Sequence, residues 1–400
     1  MPLPRINIRY LNGQLGTVPE NRDGLLAIVV IGATAVSSTF TLGTAYRLRR
    51  PDDLADLGVT AENNARMVQL VDQFYAESDE GTAVYIAGYA DSETMTSLCD
   101  ASSGPLKGLL QSLNGDLRGI IIASAKDDEP EVSEGLDPDV FTALPKAQEL
   151  AEYAAASLYA PIFIALEGRA FDSASSLKDL TQMDCNFCCV VIGDVVKDSG
   201  HAAMGTFAGR VAGTSVQRNI GRVADGPLAP DVMYIGAASV EEASGDLDDI
   251  YDKGYIIPRT YMGRTGIWWA DDRMACSAED DYAHLTARRT IDKAVRIAYD
   301  TMLDTLLSEI EVNADGSMQN AVVKSLQAGV ENAIDAQMTA NGELSTLDDS
   351  AGKSEGTGCS CYIDPDQNVV STSAVKMTLK VHPFGYFRDI TIDLGFLLTT

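Results

Sequence analysis

The sequence predicts a multi-domain α/β protein: a mostly parallel, doubly wound region followed by an α+β carboxyl-terminal domain. Three observations carry this reading. Between residues 24 and 258 short apolar runs alternate with helical patterns, and parallel strands need such crossover connections. Beyond residue 258 that rhythm gives way to two long amphipathic helices and then to period-2 alternation. The 400 residues also exceed one ordinary domain of about 100–200 residues. The expected divisions are an N-terminal arm over 1–23, an α/β outer region over 24–253 and a C-terminal domain over 254–400.

At the front, Ile6, Ile8 and Tyr10 alternate with Arg5, Asn7 and Arg9, the mark of a strand. Asn12-Gly13 then turns the chain into the polar stretch 19–23, which can act as a linker. The longest purely apolar stretch, residues 25–31, falls far short of the roughly 20 residues that span a bilayer and reads as a buried strand. TAENNARMVQLVDQFY follows as a helix, then TAVYIAGY, PLKGLLQSL, GIIIA and DVFTALPKAQELAEYAAASLY. PIFIAL, NFCCVVIG with HAAMGTFAGRVAG after it, VMYIG and GYIIP continue the series.

A long helix is expected to open near Ser277, with Asp280 as the acid of a capping box. Its predicted core stripe is Val295, Ala298, Tyr299, Met302, Leu303, Leu306 and Ile310. A second helix puts Val322, Leu326, Val330, Ile334 and Met338 on one face and stops at Asn341-Gly342. The acidic, glycine-rich stretch 347–358 reads as a loop. At the end, Ile390, Ile392, Leu394 and Phe396 alternate with polar positions, after Val375, Met377, Leu379 and Val381 in the same pattern. A hairpin of these two runs, or two paired strands, is the expected arrangement.

Composition excludes several classes. Thirty Lys+Arg against 58 Asp+Glu give a net charge of −28, which repels nucleic-acid phosphates and anionic headgroups. Nucleic acid and membrane insertion are therefore excluded as partners in this reading. The amino end carries Arg5 and Arg9 but no apolar h-region, so folding in the cytoplasm and reduced cysteines are expected.

The motifs that carry chemistry elsewhere are incomplete here. Gly352-Lys353-Ser354 lacks the earlier glycine of a P-loop, Leu347 standing in its place, and no G-x-G-x-x-G follows any strand. Glu311, Asn313, Asp315 and Gly316 imitate a calcium loop whose twelfth position is Val322 instead of Glu. Cys185, Cys188 and Cys189 have C-x-x-C spacing, which Cys359 and Cys361 could complete as a zinc site, but two of them lie in an apolar strand. No cofactor or metal is expected. Asp194, Asp198 and His201 follow NFCCVVIG, at the strand end where doubly wound folds keep their sites. They are the best candidates for an enzymatic alternative, an acidic hydrolase or metal-assisted transferase, against helix capping by Asp198 or Ser199.

Gly205, Gly209 and Gly213 recur every four residues and predict close packing on the sheet. Arg210, Arg218 and Arg222 form a local basic cluster, a docking patch for an acidic neighbour or else scattered solvated arginines.

GYIIPRTYMGRTGIWWADDRMACSAEDDYAHLTARRTIDKAVRIAYDTML, residues 254–303, resembles the conserved carboxyl-terminal region of contractile-tail sheath proteins. These form the sleeve of contractile phage tails, R-type bacteriocins and extracellular contractile injection systems. The order is a strand, a turn from Gly263 to Gly266, a strand, Asp281-Tyr282 and Arg288-Arg289 in a helix. RINIRYLNGQLG and SAVKMTLKVHPFGYFRDITIDLGF are similar to the family's amino-terminal arm and carboxyl-terminal strands; residues 34–240 match in element order only.

The resemblance implies a non-enzymatic subunit that polymerises helically with itself around a tail tube, contacts baseplate and terminator proteins, and contracts. It further implies assembly in a bacterial cytoplasm and a place in a virion tail or released injection particle. From the residues, a terminal strand on a polar linker can leave its own body and add to a neighbour's sheet. Ile6, Ile8, Tyr10, Ile390, Ile392, Leu394 and Phe396 are the candidates for such exchanged strands, with pairing in cis as the alternative.

Overall fold

Leu26–Ile31 (β1) is six apolar residues, all buried, in the middle of a six-stranded sheet. A strand covered on both faces has no polar side to alternate with, which is why its sequence is a continuous apolar run. The computed structural model describes residues 22–394, except Glu80, Asp127, Glu129 and 349–353. After β1 come Ala45–Leu48 (β2), Asp52–Asp56 (α1), Ala61–Glu77 (α2), Val84–Tyr89 (β3), Met95–Cys99 (α3) and Pro105–Ser112 (α4). Gly119–Ser124 (β4), Pro138–Ser157 (α5), Phe163–Glu167 (β5), Cys188–Val191 (β6) and Met204–Gly213 (α6) follow.

The strands lie in the order β2-β3-β1-β4-β5-β6. All but β2 are parallel; β2 runs antiparallel to β3 at the edge. The chain steps from β1 to β3 on one side, then crosses to β4 on the other, the order of a doubly wound sheet. Right-handed crossovers therefore place α2 and α5 on opposite faces. β2 was not legible in the sequence: at four residues with an arginine it has the form of an edge strand.

Helix α6 meets α2. A Cβ on Gly205 would sit 2.2 Å from the Leu70 carbonyl oxygen, and one on Gly209 2.4 Å from that of Phe74. The glycine stripe therefore lets two helix backbones touch, where packing on the sheet was expected.

Beyond α6 the strands are short. VMYIG yields Tyr234–Ile235 (β7), paired with Ala238–Ser239 (β8), before Leu247–Asp252 (α7). GYIIP supplies a parallel bridge from Ile256 to Val191 and then Pro258–Arg259 (β9), paired with Trp268–Trp269 (β10). Tyr255, Ile256, Ile257 and Trp269 all belong to the core that contains β1.

The chain divides into two compact units, Met1–Lys293 and Ala294–Thr400. The division expected at 253/254 thus falls inside the first unit, because residues 254–269 complete its core.

Helix Leu285–Leu303 (α8) starts eight residues after Ser277. Its first turn is capped from further back, with Thr286 N–H donating to Asp272 Oδ2 at 2.7 Å, while Ser277 and Asp280 cap turns of the intervening segment. The predicted stripe is also displaced. Ala294 and Ile297 are buried, whereas Val295, Tyr299 and Leu303 are exposed, and Leu306 and Ile310 lie beyond the helix.

In the second unit Asn320–Gln337 (α9) buries the expected face through Val330 and Ile334 but ends before the expected stop, and Gly342 at φ 71° closes the separate 3-10 turn Thr339–Asn341 that follows. Leu347–Asp348 (β11) pairs with Ser354–Glu355 (β12) inside the stretch expected as a loop. Cys359–Ile363 (β13), Val369–Thr372 (α10) and Met377–Val381 (β14) complete the unit, with Met318, Val323, Ile363 and Val369 as its small core. Among the described residues no helix is long and apolar enough to cross a membrane.

Candidate assembly surface

β13 and β14 form a two-stranded antiparallel sheet in which Cys359 faces Val381, Cys361 faces Leu379 and Ile363 faces Met377. The hairpin expected between the runs 375–381 and 390–396 is therefore not the one formed. β14 takes an earlier partner, brought back by the turn through α10. Antiparallel pairs alternate between residues that exchange backbone hydrogen bonds and residues whose backbone groups point outward. His382 N–H donates to the Gly358 carbonyl at 2.8 Å, so the even-numbered pairs of this ladder are the bonded ones. Cys361 N–H points away from β14 and donates to Glu331 Oε1 of α9 at 2.8 Å. By the same alternation the backbone groups of Met377, Leu379 and Val381 face the other way, along an edge with no strand beside it among the described residues.

Residues 382–394 leave β14 without forming a helix or strand. Ile390, Ile392 and Leu394 are 69%, 73% and 94% exposed, and Phe387 is 91% exposed. A period-2 apolar row largely open to water lies close in sequence to a strand edge that is open among the described residues. The other arm candidates, Ile6, Ile8, Tyr10 and Phe396, lie outside the described residues.

The three arginines of the basic cluster separate. Arg210 turns inward, its Nε 3.1 Å from Glu77 Oε2 and its guanidinium donating to the Pro227 carbonyl at 2.7 Å. Helix α6 fixes it there, so it is no part of an outer patch. Arg218 and Arg222 are exposed and share Asp225, at 3.7 and 2.7 Å.

Asp194, Asp198 and His201 do come together, at a cavity of about 470 Å³ beyond the carboxyl ends of β4, β5 and β6. What organises them was invisible to spacing. Glu167, fully buried at the end of β5, accepts from Arg66 at 2.7 Å, from Ser124 N–H at 2.6 Å and from Ala202 N–H at 3.0 Å. His201 Nδ1 is 3.4 Å from the same carboxylate. Burial raises the Glu167 carboxyl, but the Arg66 charge, His201 and the Ala202 N–H together outweigh it and hold its pKa at about 2. Asp194 is 3.8 Å from Arg66 and accepts from Ser199 Oγ at 2.7 Å and from Val195 N–H. The capping alternative fails in detail: α6 begins at Met204 with no side-chain cap, and Ser199 instead accepts from His201 N–H. Glu167 and Asp194 are engaged by donors that fix loop to strand, the arrangement of a structural network.

A second cluster escaped the sequence reading. Asp271, Asp272 and His284 bring three potential ligand atoms within 4.8 Å of one another. Asn219 donates to both aspartates, Tyr251 to Asp271 at 3.0 Å, and His284 Nδ1 is 3.1 Å from Asp272. Burial raises the Asp272 carboxyl against the pull of His284. The cysteines join no such cluster among the described residues, and burial pushes Cys276 up to about 12 and Cys185 up to about 11.

Set beside known proteins, the chain matches the family DUF2586 over nearly its whole length: the N-terminal domain over residues 3–273 and the C-terminal domain over residues 281–400. No curated protein matches it in sequence. In fold it is similar to the sheath complex of an extracellular contractile injection system, PVC, in the contracted state. That likeness has 14% identity and a TM-score of 0.62, and covers 99% of this chain and 98% of the other. The helical sheath of the anti-feeding prophage in the contracted state is similar at 14% identity and a TM-score of 0.61, over 99% of each chain. A chain of that prophage's baseplate structure is similar at 13% identity and a TM-score of 0.62, over the full length of both. At such identity the likeness is one of fold, and it is the sheath fold end to end.

Proposed function

The chain belongs to the DUF2586 family, and from that premise we propose that it is the subunit of a contractile sheath. In this reading copies polymerise helically around a tail tube, contact a baseplate and terminator at the two ends, and shorten to drive the tube through a target envelope. The observation that carries it is the match of the whole chain, both units together, to subunits of two contracted sheaths. Enzymes that share only the doubly wound region would leave the second unit unmatched.

The local geometry supports the same reading. The open edge of β14 offers backbone donors and acceptors to an incoming strand, and the exposed alternation at Ile390, Ile392 and Leu394 has the pattern such a strand needs. Added main-chain bonds give strength and alternating side chains give register. A contact of this kind that does not close on itself generates a helix. The amino-terminal run Ile6, Ile8 and Tyr10 would be lent in the same way. Contraction would then be rigid-body sliding of tethered subunits between two packings, driven by the difference in inter-subunit contact and consuming no nucleotide. Assembly would take place in a bacterial cytoplasm, and the product would be a virion tail or a released particle.

At the cavity beside Asp194, Asp198 and His201, Arg66, Ser199 and the Ala202 N–H hold Glu167 and Asp194 in a network that ties loop to strand, which supports a structural role for these two acids. Negative-stain microscopy of the purified protein tests the proposal. Tubes or striated cylinders are expected; single particles at every concentration, with turnover of a small substrate, would refute it.

A further inference from the structure

Taking the sheath reading as its starting point, we propose that an exposed arginine surface around the β9–β10 loop docks on an acidic segment, residues 241–252, of a second copy. The observations are two surfaces of opposite sign on one subunit, each largely without partners of its own.

The first is built by β9, β10 and the loop between them. Gly263 and Gly266 have φ of 77° and 115°, backbone angles that side chains rarely adopt, so the loop is shaped as a tight tip. At that tip Met262 stands wholly in solvent and Arg264 beside it is exposed. Arg259, also exposed, lies over the Tyr261 ring at 4.4 Å, and Tyr261 meets Trp268 edge-on at 5.4 Å. A guanidinium stacked on a ring has less rotamer freedom to lose on docking than a free one. Residues 219–228 run alongside: Leu228 N–H donates to the Ile267 carbonyl, and a Cβ on Gly221 would touch the Trp269 carbonyl. That segment adds Arg222, and Arg218 stands just before it; among the described residues the two share one carboxylate, Asp225. Arg259 and Arg264 have no carboxylate partner among the described residues.

The second surface is the run from Glu241 through α7. Glu241, Glu242, Asp246, Asp248, Asp249 and Asp252 are all exposed. None of them forms an ion pair among the described residues; Glu242 Oε2 accepts from Ser239 N–H, and Glu242 N–H donates to Ser239 Oγ. Ile250 is buried beneath them and fixes the helix.

In a chain of net charge −28, identical copies repel unless unlike surfaces meet. A contact between these two surfaces joins different faces of successive copies, the heterologous geometry from which open assemblies grow. The partner is a second copy because it carries the required acidic segment at the same stoichiometry as the arginines.

The test uses two full-length variants with reversed charge: Arg222→Glu with Arg264→Glu, and Asp248→Arg with Asp249→Arg. All four positions are exposed, and thermal melting checks that each variant stays folded. Each variant alone should need at least about tenfold more protein than the wild type to form polymer, since like charges are brought face to face. Mixed in equal amounts, the two should assemble together, because each then offers the sign the other lacks. Variants that assemble like the wild type, or a folded mixture that stays unassembled while the wild type polymerises, overturn the docking and leave the sheath reading standing. Wild-type protein that never polymerises overturns both.

Discussion

The backbone N–H of Cys361 donates to the Glu331 carboxylate at 2.8 Å, so a side chain of α9 occupies the outer edge of β13 while the outer edge of β14 has no strand beside it among the described residues. Exposed edges invite another strand, and proteins that do not want one block them. Among the described residues one edge is blocked and the other is not, so in the proposed assembly the sheet would grow from the β14 side alone.

That asymmetry predicts opposite outcomes for proline at adjacent positions. Leu379 N–H faces outward, so Leu379→Pro removes no bond of the β13–β14 ladder; the monomer should melt near the wild-type temperature yet fail to polymerise. Lys380→Pro removes a bond within the ladder and should cost about 1 kcal/mol or more in stability as well. Thermal melting combined with sedimentation separates the two. Equal melting temperatures, or polymer from Leu379→Pro, would count against the assigned edge.

The Arg66–Glu167 pair should be a strong determinant of stability. Arg66→Met leaves a buried carboxylate without its cation and should cost about 3–5 kcal/mol, whereas Arg66→Met combined with Glu167→Gln should cost less. With the folded carboxyl held at about 2 against an ordinary value of 4.5, its contribution is complete above pH 4.5. It is lost as pH falls from 4.5 toward 2, and amounts to about 3 kcal/mol. Melting temperature against pH in the wild type and in Glu167→Gln checks this, and the two curves should converge at low pH.

The central strands were legible because a parallel strand buried on both faces must be apolar throughout, and β1, β3, β4, β5 and β6 fall where such runs predict. The long helices were legible by position, but not the face of α8. Counting apolar residues selected Val295, Tyr299 and Leu303, which lie in solvent, over Ala294 and Ile297, which are buried. Small residues against a core leave a weak signal, and apolar residues open to water mislead the count. The placing of Asp194, Asp198 and His201 at a strand end was readable from topology. Glu167 and Arg66, which organise them, are 101 residues apart in sequence, and no local pattern links such partners. The bond from Cys361 to Glu331 was hidden for the same reason.

Helix α6 offers a test with its own control. Gly209→Ala would place a methyl 2.4 Å from the Phe74 carbonyl oxygen and force α2 and α6 apart, at a cost of about 1–3 kcal/mol. Gly213→Ala, whose nearest neighbour is 3.7 Å away, should be neutral or stabilise the helix by up to about 1 kcal/mol. Denaturant midpoints of the two variants should differ in this sense; equal midpoints would contradict the close approach.

Assembly should depend on ionic strength. A charge of −28 per copy, repeated along a tube, is repulsive at long range and screened beyond about 10 Å at 0.1 M salt, while contacts between opposite patches weaken as salt rises. Light scattering across a salt series should therefore vary strongly; an unchanging signal from low to high salt would oppose the electrostatic account.

The most direct measurement compares the full chain with a version lacking residues 1–12, by negative-stain microscopy and circular dichroism on the same samples. Lent terminal strands predict cylinders from the full chain, and a folded but unpolymerised body from the shortened one. Cylinders of unchanged appearance after the cut would contradict it.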